Sequence, residues 1–176
     1  MNPYYPCVVN KTIKDNKFTI TWHVDYLKLS HVDKGVVDEM INCMKSLYGD
    51  DMHISRGKKH DYLGMNLHLS VKGQVTVTML DYLKGLISDF EEVEILTSTA
   101  ASPAAKHLYT IREECDQKKL NDKRGMAFHH TVAQLLFAVP RARKDIYTDV
   151  SFLTTRVCDR DEDDWGKLKR MLRYIS

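Results

Sequence analysis

Two periods of apolar residues run along this chain. Phe18, Ile20 and Trp22 alternate with Thr19 and Thr21, the pattern of a half-buried strand. After an interruption at His23 to Tyr26, Leu27 and Leu29 alternate with Lys28 and Ser30, so a hairpin is the simplest reading. From residue 34 to 48 the period becomes helical. Val36, Val37, Met40, Ile41, Met44 and Leu47 fall on one face, with Asp33 placed as N-cap and Gly49 as a stop. A second hairpin is expected where Leu63, Met65, Leu67 and Leu69 alternate, then Val75, Val77 and Met79, joined through Val71-Lys72-Gly73-Gln74. A short helix should follow to about Phe90, with Leu83, Leu86, Ile87 and Phe90 inward.

The pattern changes near residue 97. Thr97 to Pro103 (TSTAASP) is small and polar and reads as a linker. Residues 104–121 show no clear period. Helices are then expected near 123–139, 145–157 and 162–175, with Pro140 breaking the first and Asp145 and Asp161 capping the others. The fold class that results is α+β: a lobe of antiparallel hairpins and helices, then a small helical lobe.

Composition adds little to this picture. The 176 residues are 43% hydrophobic and 28% charged, ordinary for a globular protein. The 26 basic and 24 acidic residues nearly cancel, so charge alone neither demands nor excludes nucleic acid. Cys7, Cys43, Cys115 and Cys158 form no CxxC pair, which argues against a zinc knuckle or a disulfide framework. Scattered thiols fit a reducing compartment, cytoplasmic or nuclear. No stretch approaches the ~20 apolar residues of a membrane span, and the N-terminal residues carry no signal-peptide pattern. A soluble intracellular protein is the expectation.

Candidate chemistry centres on the hairpin tip at Asp25. Strands fix the backbone there, while the turn pushes the carboxylate out of the core, where it could hold a Mg²⁺. Asp is also a common turn former, and this position alone favours that structural role. The eight histidines show no ligand spacing, and the acidic run Asp159 to Asp164 fits the N-terminus of the last helix. Basic residues gather in the second lobe, at Arg141, Arg143 and Lys144 and at Lys167, Lys169, Arg170 and Arg173. They could track phosphates or form a solvated face.

The run WHVDYLKLSHVDK resembles the W-[YH]-V-D-D-L-K-[IL]-S-H segment of copia-type LTR retrotransposon reverse transcriptases. RGKKHDYLGMNLHLSVKGQVTVTMLDYLKGLISDF is similar to the segment that follows in that family. SPAAKHLYTI matches its T-P-A-x-x-H-L-F stretch, and HHTVAQLLFAVPRARKDIYTDVSFLTTRV its F-H-x-x-V-A-x-L-L-Y-x-x-x-R-A-R-P-D-I stretch, with Lys144 where Pro is usual. DEDDWGKLKRMLRYIS resembles W-x-K-L-K-R-x-L-R-Y-L. The blocks run in family order from about residue 7 onward.

The resemblance implies that residues 1–95 are the C-terminal part of a reverse-transcriptase palm and residues 96–176 a helical thumb and connection region. It implies RNA-directed DNA polymerase ancestry, an RNA or DNA primer–template as partner, Mg²⁺ as cofactor and a place in a larger retrotransposon polyprotein. Asp25 would be a catalytic metal ligand, and Leu63, Gly64 and Met65 a primer-grip strand. Arg141, Arg143, Lys144, Lys169 and Arg170 would face nucleic acid. The family motif carries a second aspartate where this chain has Tyr26, a poor Mg²⁺ ligand. A further aspartate and the fingers, which precede the hairpin in the family, have no counterpart in these residues. The expectation is therefore a polymerase-derived chain without polymerase activity. The alternative is a non-catalytic nucleic-acid-binding remnant or an interaction module, with an exposed sheet edge that favours self-association.

Overall fold

The computed structural model describes residues 3–70, 73–90 and 98–176, the side chain of Asp50 excepted. It is α+β, with two three-stranded antiparallel sheets and five α-helices among those residues. The chain forms two compact units, residues 1–57 and 58–176. The palm–thumb boundary expected at 95/96, and residues Val71 and Lys72 of the second hairpin connection, lie outside the described residues.

In the first unit β1 (Val8–Ile13), β2 (Asn16–His23) and β3 (Tyr26–Ser30) form a meander in that order. The periodic reading found β2 and β3 but not β1, whose sequence VVNKTI has too few apolar positions to alternate visibly. α1 (Lys34–Tyr48) follows as expected. Asp33 accepts from the Gly35 amide at 2.8 Å, and the Gly49 amide closes the last turn onto the Lys45 carbonyl. On the apolar face of α1 only Val36 is fully buried; Val37, Met40, Ile41 and Met44 are half-buried and Leu47 is exposed. Phe18 and Val36 are the buried apolar side chains of this unit. Around them His31 forms a clasp. Its ring meets Phe18 edge-on at 6.1 Å, its Nδ1 accepts from the Asp33 amide at 3.0 Å and its Nε2 lies 3.1 Å from the Ile13 carbonyl. Lys14 pairs with Asp33 at 2.7 Å; their hydrogen bond and charge raise the lysine pKa and lower that of the aspartate.

In the second unit β4 (Lys59–Tyr62), β5 (Met65–Leu69) and β6 (Val75–Thr78) form another meander, followed by α2 (Leu80–Ser88). Leu63 does not extend β5 as expected. Tyr62 pairs with Met65, so Leu63 and Gly64 form a two-residue turn with φ of 52° and 72°. Positive φ at both central positions is the I′ geometry that matches strand twist, and Gly64 is there because such a turn favours it. Val75 and Val77 are exposed rather than inward, and Met79 alone of that set is buried.

Three helices complete the unit: α3 (Asp122–Ala142), α4 (Tyr147–Thr155) and α5 (Glu162–Ile175). Pro140 does not end α3, which continues to Ala142. Ala138 and Val139 are fully buried beside it, and the Arg141 guanidinium donates to the Phe137 carbonyl at 2.7 Å, so packing and a side-chain donor support the final turn. Asp145 does not cap α4. A short 3₁₀ turn, Lys144–Ile146, intervenes, and Asp145 instead grips Arg143 at 2.8 Å. Asp161 does cap α5, in a reciprocal capping box with Asp164.

Leu86 and Phe90 join Phe128, Val132, Leu135, Val139, Ile146, Val150, Leu153, Trp165, Leu168, Met171 and Leu172 in one core, with Phe90 stacked on Trp165 at 5.1 Å. Thus α2 shares its core with the C-terminal helices. Each such side chain contributes about 1.5–3 kcal/mol on full burial, so this unit holds most of the apolar stabilisation.

Candidate functional site

The β2–β3 hairpin positions Asp25. Trp22 pairs with Leu27 and His23 with Tyr26, which leaves Val24 and Asp25 as the two-residue tip. Val24 has φ 50°, a left-handed conformation that β-branched residues avoid. Neither residue of the tip is a glycine, the residue that two-residue hairpin turns favour. Asp25 is exposed, as the sequence suggested, and so is Tyr26 at the start of β3.

The fit of a divalent cation here can be judged from the donors. Among the described residues no group of three or more His, Cys, Asp or Glu side chains is placed to hold a metal ion. A two-metal clamp holds its ions about 4 Å apart and needs carboxylates from more than one position. Asp25 beside a phenol supplies one, so these residues do not fit the pair of Mg²⁺ ions that polymerase chemistry requires.

The other expected site residues fall in the second unit. A side chain added at Gly64 would meet Tyr82 at 3.5 Å, Met79 at 3.6 Å and Phe137 at 3.7 Å, so this turn sits against α2 and α3. Met65 packs beside Met79, Leu83 and Ala138. Arg141 lies over the Phe137 ring at 3.6 Å. Arg143 lies 5.4 Å over Tyr174 and is bound by Asp145, whose hydrogen bond holds the guanidinium pKa above its usual value; Lys144 is exposed. Arg170 donates to the Ser102 hydroxyl at 3.1 Å. Lys169 is half-buried on the same helix. These residues do not form one continuous group: Arg143 is neutralised locally, whereas Arg170 faces a groove beside α5.

The sequence reading missed a buried ionic cluster at the start of α5. Arg156 donates through Nε to Asp164 at 3.0 Å and through Nη2 to the Asp159 carbonyl at 2.6 Å. Lys167, also buried, bonds the Thr110 carbonyl at 2.8 Å and pairs with Asp163 at 2.9 Å and Asp164 at 3.5 Å. Burial alone would lower the Arg156 pKa; the hydrogen bond and charge of Asp164, with Asp159 and Asp161, outweigh it and raise the value. The available signal was Lys167 three and four residues after two acids, a helical ion-pair spacing. The Arg156–Asp164 pair is buried and anchors the start of α5, while Lys167 and Asp163 also line a groove beside that helix.

No protein-family profile matches the chain, and no solved structure does. Among curated proteins it is similar to the "Putative transposon Ty5-1 protein" of Saccharomyces cerevisiae, at 25% identity over 166 residues. The match covers 94% of this chain and 51% of the yeast protein, so the chain spans about half the length of that relative. What this likeness supports is a transposon-related chain.

Proposed function

We propose that the chain derives from a copia-type reverse transcriptase, with its residues drawn from the C-terminal palm and the thumb, and that it has no polymerase activity by itself. The observation that carries this reading is the β2–β3 hairpin, which presents Asp25 alone at its two-residue tip inside WHVDYLKLSHVDK. A helix, a second meander and the C-terminal helices follow in the order of the matching blocks. The yeast transposon relative supports the same origin. The ancestral reaction is template-directed addition of deoxynucleotides to a primer 3′ end. With one carboxylate at the tip and Tyr26 beside it, the hairpin lacks the donor set for that step.

Grafting residues 16–30 into the equivalent hairpin of an active enzyme of this family tests the reading. The graft with Tyr26 should be inactive, and the same graft with Tyr26→Asp should extend a primer. An inactive Tyr26→Asp graft that folds normally would refute it. The chain alone, given primer–template, Mg²⁺ and nucleotides, should incorporate nothing; incorporation abolished by Asp25→Ala would overturn the claim of inactivity.

A further inference from the structure

A groove of about 510 Å³ runs between the segment 99–112 and the exposed flank of α5. Three bonds fix its walls. The Ala100 amide donates to the Arg173 carbonyl at 3.1 Å, Arg170 donates to Ser102, and Lys167 donates to the Thr110 carbonyl. The volume falls in the range of about 300–1,000 Å³ typical of small-molecule sites.

Its charges do not cancel. Four cations line it, Arg112, Lys167, Arg170 and Arg173, against two carboxylates, Glu162 and Asp163. Both acids are engaged: Glu162 pairs with Arg124 at 2.5 Å, and Asp163 with Lys167 and with Arg112 at 3.4 Å. Among the described residues Arg170 donates to a neutral hydroxyl, and the buried Nε of Arg173 has no hydrogen-bond partner. The two arginines are three residues apart on α5, so their stems rise about 5–6 Å apart on one face. Guanidinium pairs at that spacing suit a tetrahedral oxyanion, which they bind through several charge-assisted hydrogen bonds. Apart from Thr99 and His107, the rest of the lining is small or apolar, with Ala101, Pro103 and the buried Leu108.

We propose that this groove binds a small phosphate monoester, with the phosphate between Arg170 and Arg173 and an apolar body against Ala101, Pro103 and Leu108. The inference does not depend on the reverse-transcriptase origin. Phenyl phosphate, inorganic phosphate and benzyl alcohol are the probes, titrated into the full chain at low ionic strength by calorimetry and amide shift mapping. Phenyl phosphate should bind best, inorganic phosphate more weakly and benzyl alcohol not at all, with shifts confined to residues 99–112 and α5. R170Q/R173Q should weaken phenyl phosphate by at least about tenfold, as loss of charge-assisted bonds requires. R170K/R173K should restore part of the affinity. A101F should obstruct phenyl phosphate more than inorganic phosphate, without touching either arginine. Unchanged affinity in a folded R170Q/R173Q variant, or no binding of phenyl phosphate to the wild type, would overturn the proposal. A dinucleotide phosphodiester that displaces phenyl phosphate at lower concentration would overturn the monoester assignment.

Discussion

The Arg156–Asp164 pair offers a quantitative test of how the second unit is held together. Their side chains are 7% and 2% exposed, and the charged atoms meet at 3.0 Å. At an effective dielectric of about 20 the gross attraction at that distance is roughly 5–6 kcal/mol, opposed by the cost of desolvating both ions. Removing one partner leaves the other buried and uncompensated, which costs about 3–5 kcal/mol. Asp164→Ala should therefore lower the urea midpoint of the second unit by about 2 M, taking a slope of about 2 kcal/mol per molar. Arg156→Met should do nearly the same. The double variant R156M/D164L should recover most of the loss, because an apolar pair in that space is often neutral. It should fall short by about 1 kcal/mol, since Asp164 also completes the α5 capping box. Urea titrations followed by helix circular dichroism and Trp165 fluorescence measure all three. Single effects that simply add, within about 0.5 kcal/mol, would show that the two residues are not coupled and would refute the reasoning.

Further predictions follow from other sites. Val24→Gly should stabilise the β2–β3 hairpin by about 1 kcal/mol, because the left-handed backbone at that position strains a β-branched residue; an unchanged melt of the first unit would count against that strain. Asp149 is buried in the first turn of α4, and burial raises its pKa, with Asp145 adding a smaller push. A carboxyl whose folded pKa is raised binds protons more readily when folded. Its cost to stability is absent below the ordinary carboxylate value and grows as pH rises through the raised one. Asp149→Asn should thus stabilise at neutral pH and make no difference in strong acid, as paired denaturation curves across pH will show. Asp145 runs the other way: Arg143 lowers its pKa, so that pair's contribution should fade as pH drops through the lowered value.

The elements legible in the sequence were those whose side chains carry the period. α1, α2 and α5 and strands β2 and β5 have regular apolar spacing, and Asp33 and Asp161 announce helix starts. β1 and β4 were not legible. KHDY has no apolar alternation, and both strands exist because a neighbour offers a ladder of backbone hydrogen bonds in register. Pro140 misled for a similar reason: local propensity argued for a break, and the packing of Ala138 and Val139 overrode it. At the candidate site, the exposed tip at Asp25 was readable because turn and strand chemistry are local. The Arg156–Asp164 contact joins the end of one helix to the start of another, and the groove at Arg170 and Arg173 depends on where residues 99–112 come to lie. No window of sequence shows either.

The slender core of the first unit has a consequence for how the chain opens. Two fully buried apolar side chains, Phe18 and Val36, supply about 3–6 kcal/mol of transfer free energy, while the other apolar residues of α1 are only half-buried or exposed. Amide protons of β1, β2 and β3 should then exchange through frequent partial openings, and those of α3 and α5 only through global unfolding. A protease would cut first within residues 3–57 and spare the helical unit, so limited digestion should trim the chain down to its C-terminal two-thirds. The segment that carries Asp25 is thereby the part most readily lost to turnover.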